Sequence, residues 1–114
     1  MASKASDLTS RTCKSCEGDV AALTEPQARE LLAQLPGWAL TGAGEIARTY
    51  NFKDYYQTMA FVNATAWVSH HENHHPDLEV GYNRCRVRYS THSVGGLSEN
   101  DFICAAKVDA LMND

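Results

Sequence analysis

Two kinds of hydrophobic spacing divide this chain. Apolar residues recur with a period of two in four stretches, and this spacing predicts β-strands at 38–40, 46–52, 78–82 and 85–91. A spacing of three to four residues predicts helices at 25–35, at 53–71 and after Ser98. The predicted order is α-ββ-α-ββ-α. We therefore expect an α+β fold, with a four-stranded antiparallel sheet covered on one face by helices.

Local signals mark the ends of these elements. Thr24 and Gln27 have the spacing of a capping box, and Pro36 stops the helix that follows them. Pro76 enforces a break after the longest helix, and Ser98 is a typical cap for the last one.

The longest predicted helix is apolar on two sides. Its faces carry Tyr55, Met59, Val62 and Ala66, and roughly opposite them Phe61, Ala64 and Val68. One layer of sheet can cover only one face. We expect the Phe61 face to pack on another subunit, or else under the N-terminal helix, and we expect a homo-oligomer that is at least a dimer.

Composition narrows the class of protein. A chain of 114 residues that is 44% hydrophobic suits one domain with a modest core, and its net charge of −4 argues against direct nucleic-acid contact. No apolar run is long enough to cross a membrane, and residues 1–11 lack the apolar core of a signal peptide. We expect a cytoplasmic protein with reduced cysteines. The polar composition of residues 1–20 predicts a mobile tail, and we expect residues 21–114 to form a single domain.

The histidines carry the candidate chemistry. His74 and His75 follow the end of a predicted helix, and His92 ends a predicted strand, so the three side chains can meet at one rim of the sheet. Imidazole titrates near neutral pH, so such a group suggests acid–base catalysis or metal binding. From spacing alone, a site and a set of surface histidines are about equally favoured. For His70 and His71 taken alone, the surface interpretation is preferred.

A zinc site is the weaker alternative. His70 and His74 have a spacing that zinc ligands use, and Cys13 and Cys16 form a CxxC. No second cysteine pair completes that motif, and the segment 70–74 lacks the Glu position of HExxH. We expect no metal and no other cofactor.

A combined motif resembles the pterin-4a-carbinolamine dehydratases. It consists of His70-x-x-x-His74-His75-Pro76, then Tyr82, Ser90-Thr91-His92 and Gly96-Leu97-Ser98-Glu99-x-Asp101, with Pro36-Gly37-Trp38 and Phe52-Lys53-Asp54-Tyr55 upstream. The resemblance runs from about Leu23 to Lys107. It implies a ββαββα core behind an N-terminal helix, in agreement with the hydrophobic pattern.

The resemblance also implies an activity. These dehydratases convert 4a-hydroxytetrahydrobiopterin to quinonoid dihydrobiopterin and water, and so recycle the cofactor of aromatic amino acid hydroxylases. The implied partners are a small-molecule pterin substrate and, in a homodimer or homotetramer, further copies of the chain, with no membrane and no direct nucleic-acid contact. The alternative is a non-catalytic pterin-binding or regulatory dehydratase-like protein, of the transcription-cofactor or molybdopterin-related kind.

The implied site residues fall into two groups. The catalytic residues are His74, His75 and His92, and the substrate-binding residues are Trp38, Pro76, Ser90, Thr91 and Asp101. We expect His74 to lead the proton transfer. Trp38 should wall the pterin ring or anchor the core, and Asp101 should fix His92 or the loop or provide a helix N-terminal charge. His70 and Asn73 stand where animal members carry carboxylates, so neither position supplies a carboxylate here.

Overall fold

The structural elements follow the predicted order. The computed structural model describes residues 8–14 and 21–112. The longer helices of this part are α1 (Glu25–Leu32), α2 (Tyr55–Glu72) and α3 (Glu99–Ala110), and the strands are β1 (Ala39–Leu40), β2 (Ile46–Asn51), β3 (Asp77–Val80) and β4 (Arg84–Tyr89). A 3-10 turn, His92–Val94, joins β4 to α3. No described helix combines the length and the apolar character that a membrane crossing requires.

The four strands form one antiparallel sheet in the order β1-β2-β4-β3. The central pair, β2 and β4, joins two hairpins, with Ile46 opposite Tyr89 and Tyr50 opposite Cys85. Along β4 the buried side chains alternate with arginines that lie on the other face of the sheet. The helices cover the apolar face, so the predicted α+β fold is confirmed.

One charged residue, Arg48, lies on the buried face of β2. Its guanidinium contacts the ring of Tyr50 and donates a hydrogen bond of 2.9 Å to Asp109 near the end of α3. Trp38 and Tyr50 donate hydrogen bonds to the same carboxylate oxygen. Asp109 therefore holds the start of the β1 hairpin, β2 and α3 together. A Cβ added at Gly37 would lie 2.5 Å from the Arg48 guanidinium, which would have to shift to make room for it.

The buried face of α2 differs from the prediction. Its buried residues are Thr58, Phe61, Thr65, Val68 and Glu72. The ring of Phe61 packs on Tyr50 and Phe52 of the same chain, so the expectation that the Phe61 face meets another subunit or lies under the N-terminal helix is wrong. The exposed face carries Tyr56 and Trp67, which are 81% and 65% exposed.

Hydrogen bonds of threonine explain this difference. The Thr58 hydroxyl donates to the carbonyl oxygen of Asp54, and the Thr65 hydroxyl donates to that of Val62. A buried hydroxyl that has a partner is tolerated in a core. Hydrophobic spacing counts both threonines as polar, so it does not show that they belong to the buried face.

The predicted mobile tail, residues 1–20, is described only at 8–14. These residues are packed rather than free, which corrects the prediction for that stretch. Leu8 is fully buried, and Lys14 and the side chain of Asn100 exchange two hydrogen bonds of 3.0 and 2.9 Å. Leu8 and, in part, Cys13 pack on the hydrophobic core, and the rest of the contact is polar, so hydrophobic periodicity does not predict it. The remaining residues of the predicted tail lie outside the described part.

Candidate active site

The turn after α2 determines which way the two adjacent histidines face. Asn73 ends the helix in the left-handed conformation, with φ 53°, and is the only non-glycine residue with positive φ in residues 8–14 and 21–112. Asparagine adopts this conformation more readily than most residues. After it, the side chain of His74 is buried and that of His75 is exposed.

A buried hydrogen-bond network holds His74. Its Nε2 lies 2.7 Å from Oδ1 of Asp101, whose side chain is fully buried. The other carboxylate oxygen, Oδ2, accepts the Ser98 N–H at 2.9 Å and the Thr91 hydroxyl at 2.8 Å. The His74 ring also stacks on Tyr89, with 5.8 Å between centroids and 10° between planes. The network therefore determines both the position and the orientation of the imidazole.

The same network determines which nitrogen of His74 can exchange a proton with a ligand. An ionised carboxylate only accepts hydrogen bonds, so Nε2 carries the hydrogen that Asp101 receives. None of the described residues forms a hydrogen bond with Nδ1. When the ring is neutral, Nδ1 has a free lone pair, and when the ring is protonated it can donate.

A small cavity of about 190 Å³ opens beside this network. It is lined by Asn73, His74, His75, Ser90, Thr91, His92 and Ser93. The cavity thus brings together the three histidines and the Ser-Thr pair that the sequence predicted. A larger cavity of about 480 Å³ lies between the start of α1 and Leu97, but no imidazole lines it. The smaller cavity is therefore the candidate site, because it holds the groups that can transfer protons.

Three predicted substrate contacts make other interactions within the chain. Trp38 is 4% exposed, does not line the cavity, and packs on Tyr89, so it lies in the core. Asp101 is fully buried and bonds to His74 rather than to His92. The hydroxyl of Thr91 is already bonded to Asp101.

The remaining predicted positions divide between the cavity and its border. Ser90 is half-buried and lines the cavity. Pro76 is half-buried and lies next to the cavity in sequence, but does not line it. In residues 8–14 and 21–112, no three His, Cys, Asp or Glu side chains converge in the way that metal ligands do. The expectation of a metal-free protein stays a prediction.

Two more titratable groups lie behind His74. Burial raises the pKa of the Tyr89 hydroxyl well above its ordinary value, so this phenol stays protonated. Burial alone would also raise the pKa of Glu72, but the N–H of Cys13 and the ammonium of Lys107 outweigh it and lower that pKa. Glu72 is therefore a buried, ionised carboxylate close to the turn at Asn73.

The family model described as pterin 4 alpha carbinolamine dehydratase matches residues 21–111. This chain belongs to that family. A relative from Nitrosomonas eutropha is 64% identical over 93% of this chain and 94% of its own length. One from Legionella pneumophila is 57% identical over 96% and 98%. Both are named only provisionally as pterin-4-alpha-carbinolamine dehydratases. The resemblance seen in the sequence is confirmed at the level of the family.

Two solved structures extend the comparison. The crystal structure of a transcriptional coactivator/pterin dehydratase from Brucella melitensis has a TM-score of 0.76 and 35% identity, over 80% of this chain and 98% of that one. A pterin dehydratase-like protein identified as a RuBisCO assembly factor in the alpha-carboxysome has a TM-score of 0.60 and 28% identity, over 68% and 92%. The fold of this family therefore also occurs in proteins that are described as a transcriptional coactivator or as an assembly factor.

Sequence reasoning missed two residues of the site. Tyr89, which lies under the His74 ring, was placed on the apolar face of its strand, but alternation does not say which ring it would meet. Asn73 was noted only as a departure from animal relatives. Its position between a helix end and two histidines is the signal that could have indicated a left-handed C-cap.

Proposed function

We propose that this protein is a 4a-hydroxytetrahydrobiopterin dehydratase, which converts its substrate to quinonoid dihydrobiopterin and water in tetrahydrobiopterin recycling. The observation that carries the proposal is the buried His74–Asp101 pair beside a cavity that His75 and His92 also line. Membership of the family supports the substrate class. We place the reaction in the cytoplasm, as the sequence predicts.

The reaction needs one proton donor and one proton acceptor. The carbon–oxygen bond of the 4a-hydroxyl breaks, the hydroxyl takes a proton and leaves as water, and the neighbouring ring nitrogen loses its proton as a carbon–nitrogen double bond forms. His74 acts through Nδ1, because Asp101 engages its Nε2. His75 and His92 lie in the same cavity and supply the complementary proton transfer and contacts to the ring.

The decisive experiment compares two histidine variants. His74→Ala should reduce the rate of 4a-carbinolamine breakdown by about 10²–10⁴-fold, because it removes a positioned acid–base group. His70→Ala is the matched control, since His70 is exposed on α2 and does not line the cavity. Circular dichroism should give the same folded spectrum for both. Full activity in folded His74→Ala would refute the proposal.

A non-catalytic pterin-binding or regulatory role is the second candidate. This candidate is supported by how the two solved relatives are described. One is a transcriptional coactivator/pterin dehydratase, and the other is a pterin dehydratase-like RuBisCO assembly factor. Purified protein would then bind a pterin and leave the rate of carbinolamine breakdown unchanged. Measuring binding by calorimetry and turnover by absorbance on the same sample distinguishes the two candidates.

We also propose that the protein is a homodimer or homotetramer. The aromatic side chains of Tyr56 and Trp67 are exposed on α2, and β3 is an edge strand with an unpaired side. Exposed apolar surface and open strand edges both favour association. Light scattering at micromolar concentration should give a mass of at least twice 12.6 kDa. A monomer mass throughout that range would contradict it.

The proposed mechanism uses no metal. The imidazoles supply the proton transfers, so activity should survive exhaustive treatment with EDTA or phenanthroline. Stoichiometric zinc whose removal abolishes turnover would favour the zinc alternative instead.

A further inference from the structure

The segment 8–14, here called the N-terminal strap, crosses α3 behind the candidate site. The N–H of Cys13 donates to Glu72 at 2.9 Å, and Lys107 donates to the carbonyl oxygen of Thr9 at 3.1 Å. The strap therefore connects the chain's first described residues to α2 and α3. The proposed dehydratase mechanism uses none of these contacts.

Two cysteine side chains meet where the strap contacts α3. Sγ of Cys13 lies 3.4 Å from Sγ of Cys104, although 91 positions separate the two residues in sequence. Cys13 is half-buried and Cys104 is fully buried. Cys104 lies one helical turn after Asp101, and its sulfur is 4.0 Å from the carbonyl oxygen of His74. The pair is therefore in contact with the backbone of the site.

We propose that Cys13 and Cys104 form a reversible disulfide that fastens the strap to α3 under oxidising conditions. A disulfide needs its sulfurs about 2.05 Å apart, so the reduced pair is already a short approach from bonding. Cytoplasmic disulfides form only transiently under reducing conditions, often as responses to an oxidant. The pair thus serves as a modification site that responds to peroxide.

The two sulfurs have different parts in the reaction. The hydrogen bond with Cys13, and then burial, raise the pKa of the Cys104 thiol, so Cys104 stays protonated. The half-buried Cys13 is the sulfur that a hydroperoxide can reach. Oxygen transfer gives Cys13 sulfenic acid and water from hydrogen peroxide. The Cys104 thiol then gives its proton to the Cys13 hydroxyl oxygen as its sulfur attacks the Cys13 sulfur, so the S–O bond breaks, the S–S bond forms and a second water leaves. Two thiols are oxidised and one peroxide is reduced.

The bond would close a long loop. A cross-link between distant residues reduces the conformational freedom of the unfolded chain more than a link between near ones. The segment of the chain between Cys13 and Cys104 contains all four strands and α2. The oxidised chain should therefore melt at a temperature at least about 5 °C above that of the reduced chain.

The experiment oxidises the purified full chain with a small excess of hydrogen peroxide. Free thiols are then alkylated, and the linked peptides are identified by mass spectrometry. We expect a peptide pair that joins Cys13 to Cys104, its loss on adding dithiothreitol, and the rise in melting temperature. A pair that joins Cys13 to Cys16, a link between two chains, or thiols that remain free would each overturn the proposal. So would an unchanged melting temperature in the linked protein.

Two serine variants make the result specific. Cys13→Ser should give neither the linked pair nor the rise in melting temperature, and its partial exposure makes the substitution compatible with folding. Cys16→Ser keeps both proposed partners and should behave like the unmodified sequence. A rise in melting temperature for Cys13→Ser equal to that of the original chain would refute the assignment. Loss of the linked pair in Cys16→Ser would refute a direct reaction between Cys13 and Cys104.

Discussion

Helix α3 carries a buried or half-buried aspartate near each of its ends, and the two have different partners. Asp101, in the first turn, accepts hydrogen bonds from His74, Thr91 and the backbone of Ser98. Asp109, in the last turn, accepts from three other side chains, those of Trp38, Arg48 and Tyr50. Each carboxylate thus accepts three hydrogen bonds, and all of them except the one from Ser98, which caps α3 itself, join α3 to the sheet or its connections.

The partners determine what each carboxylate can do. An indole N–H, a guanidinium and a phenol do not exchange protons near neutral pH. Burial, followed by the hydrogen bond to Asp109, raises the pKa of Tyr50 further above its ordinary value. An imidazole does exchange protons at neutral pH. Asp101 therefore positions a group that can react, whereas Asp109 holds groups that stabilise the fold. The same kind of hydrogen-bonded carboxylate can have either role, and its partners decide which.

Among the substitutions that compare the two aspartates, the largest effect is expected for Asp101→Asn. An amide nitrogen at the Oδ1 position is a donor and cannot accept the hydrogen of Nε2 of His74, so His74 is held less well. We expect the dehydratase rate to fall about 10–100-fold. The fall should be in kcat more than in KM, and the pH–rate profile should change, which loss of stability alone would not produce. An unchanged profile and rate would contradict a positioning role for Asp101.

Asp109→Asn is the matched substitution at the other end of α3. All three donors bond to Oδ1 of Asp109, and the amide oxygen of asparagine can still accept there. The loss of the negative charge opposite Arg48 should lower the free energy of unfolding by about 2 kcal/mol, since Asp109 is only partly buried. Denaturant unfolding measures this change. At temperatures where the variant is folded, its turnover should match that of the original chain. A loss of turnover as large as that of Asp101→Asn would remove the distinction between the two aspartates.

The third prediction concerns acid stability at Glu72. The pKa of this carboxyl is lowered in the folded state, so its contribution to stability is present above the ordinary Glu pKa of about 4.3. That contribution is lost as the pH falls through the lowered pKa. Glu72→Gln should therefore unfold with a weaker dependence on pH below about pH 5. Identical acid-unfolding slopes for the two proteins would show that folding does not lower the pKa of Glu72.

The smallest effect is expected for Gly37→Ala, which tests the packing around Asp109. The added methyl group would meet the guanidinium of Arg48, whose contact with Asp109 limits how far it can move. We expect a loss of about 1 kcal/mol in the free energy of unfolding. In an Arg48→Lys background the loss should disappear, because the planar guanidinium is absent. An equal loss in both backgrounds would show that the methyl group disturbs something else.

The fold was largely predictable because its signals are local. The alternation along β4, the capping box at Thr24 and the break at Pro76 each act within a few residues. The positions of His74, His75 and His92 at one cavity also followed from where helix and strand end. Long-range polar partners could not be read in this way. Nothing near Asp101 in the sequence indicates that it bonds to His74 rather than to His92.

Two errors have the same physical origin. The buried face of α2 includes hydroxyl groups satisfied by backbone carbonyls, and the strap at 8–14 is held chiefly by polar contacts. The spacing of hydrophobic residues along the sequence reveals neither buried hydroxyl groups nor polar contacts between distant residues. Trp38 is a different case. Both of its predicted roles, a wall for the pterin and an anchor of the core, require a large apolar ring, so the sequence does not separate them. In the structure Trp38 packs on Tyr89, and Tyr89 also packs on His74.

The left-handed residue Asn73 gives the two adjacent histidines unequal surroundings. His74 and His75 are identical residues, yet the side chain of His74 is buried and that of His75 is exposed to solvent. Which of the two imidazoles is enclosed thus depends on the backbone conformation of this turn, and not on the type of residue.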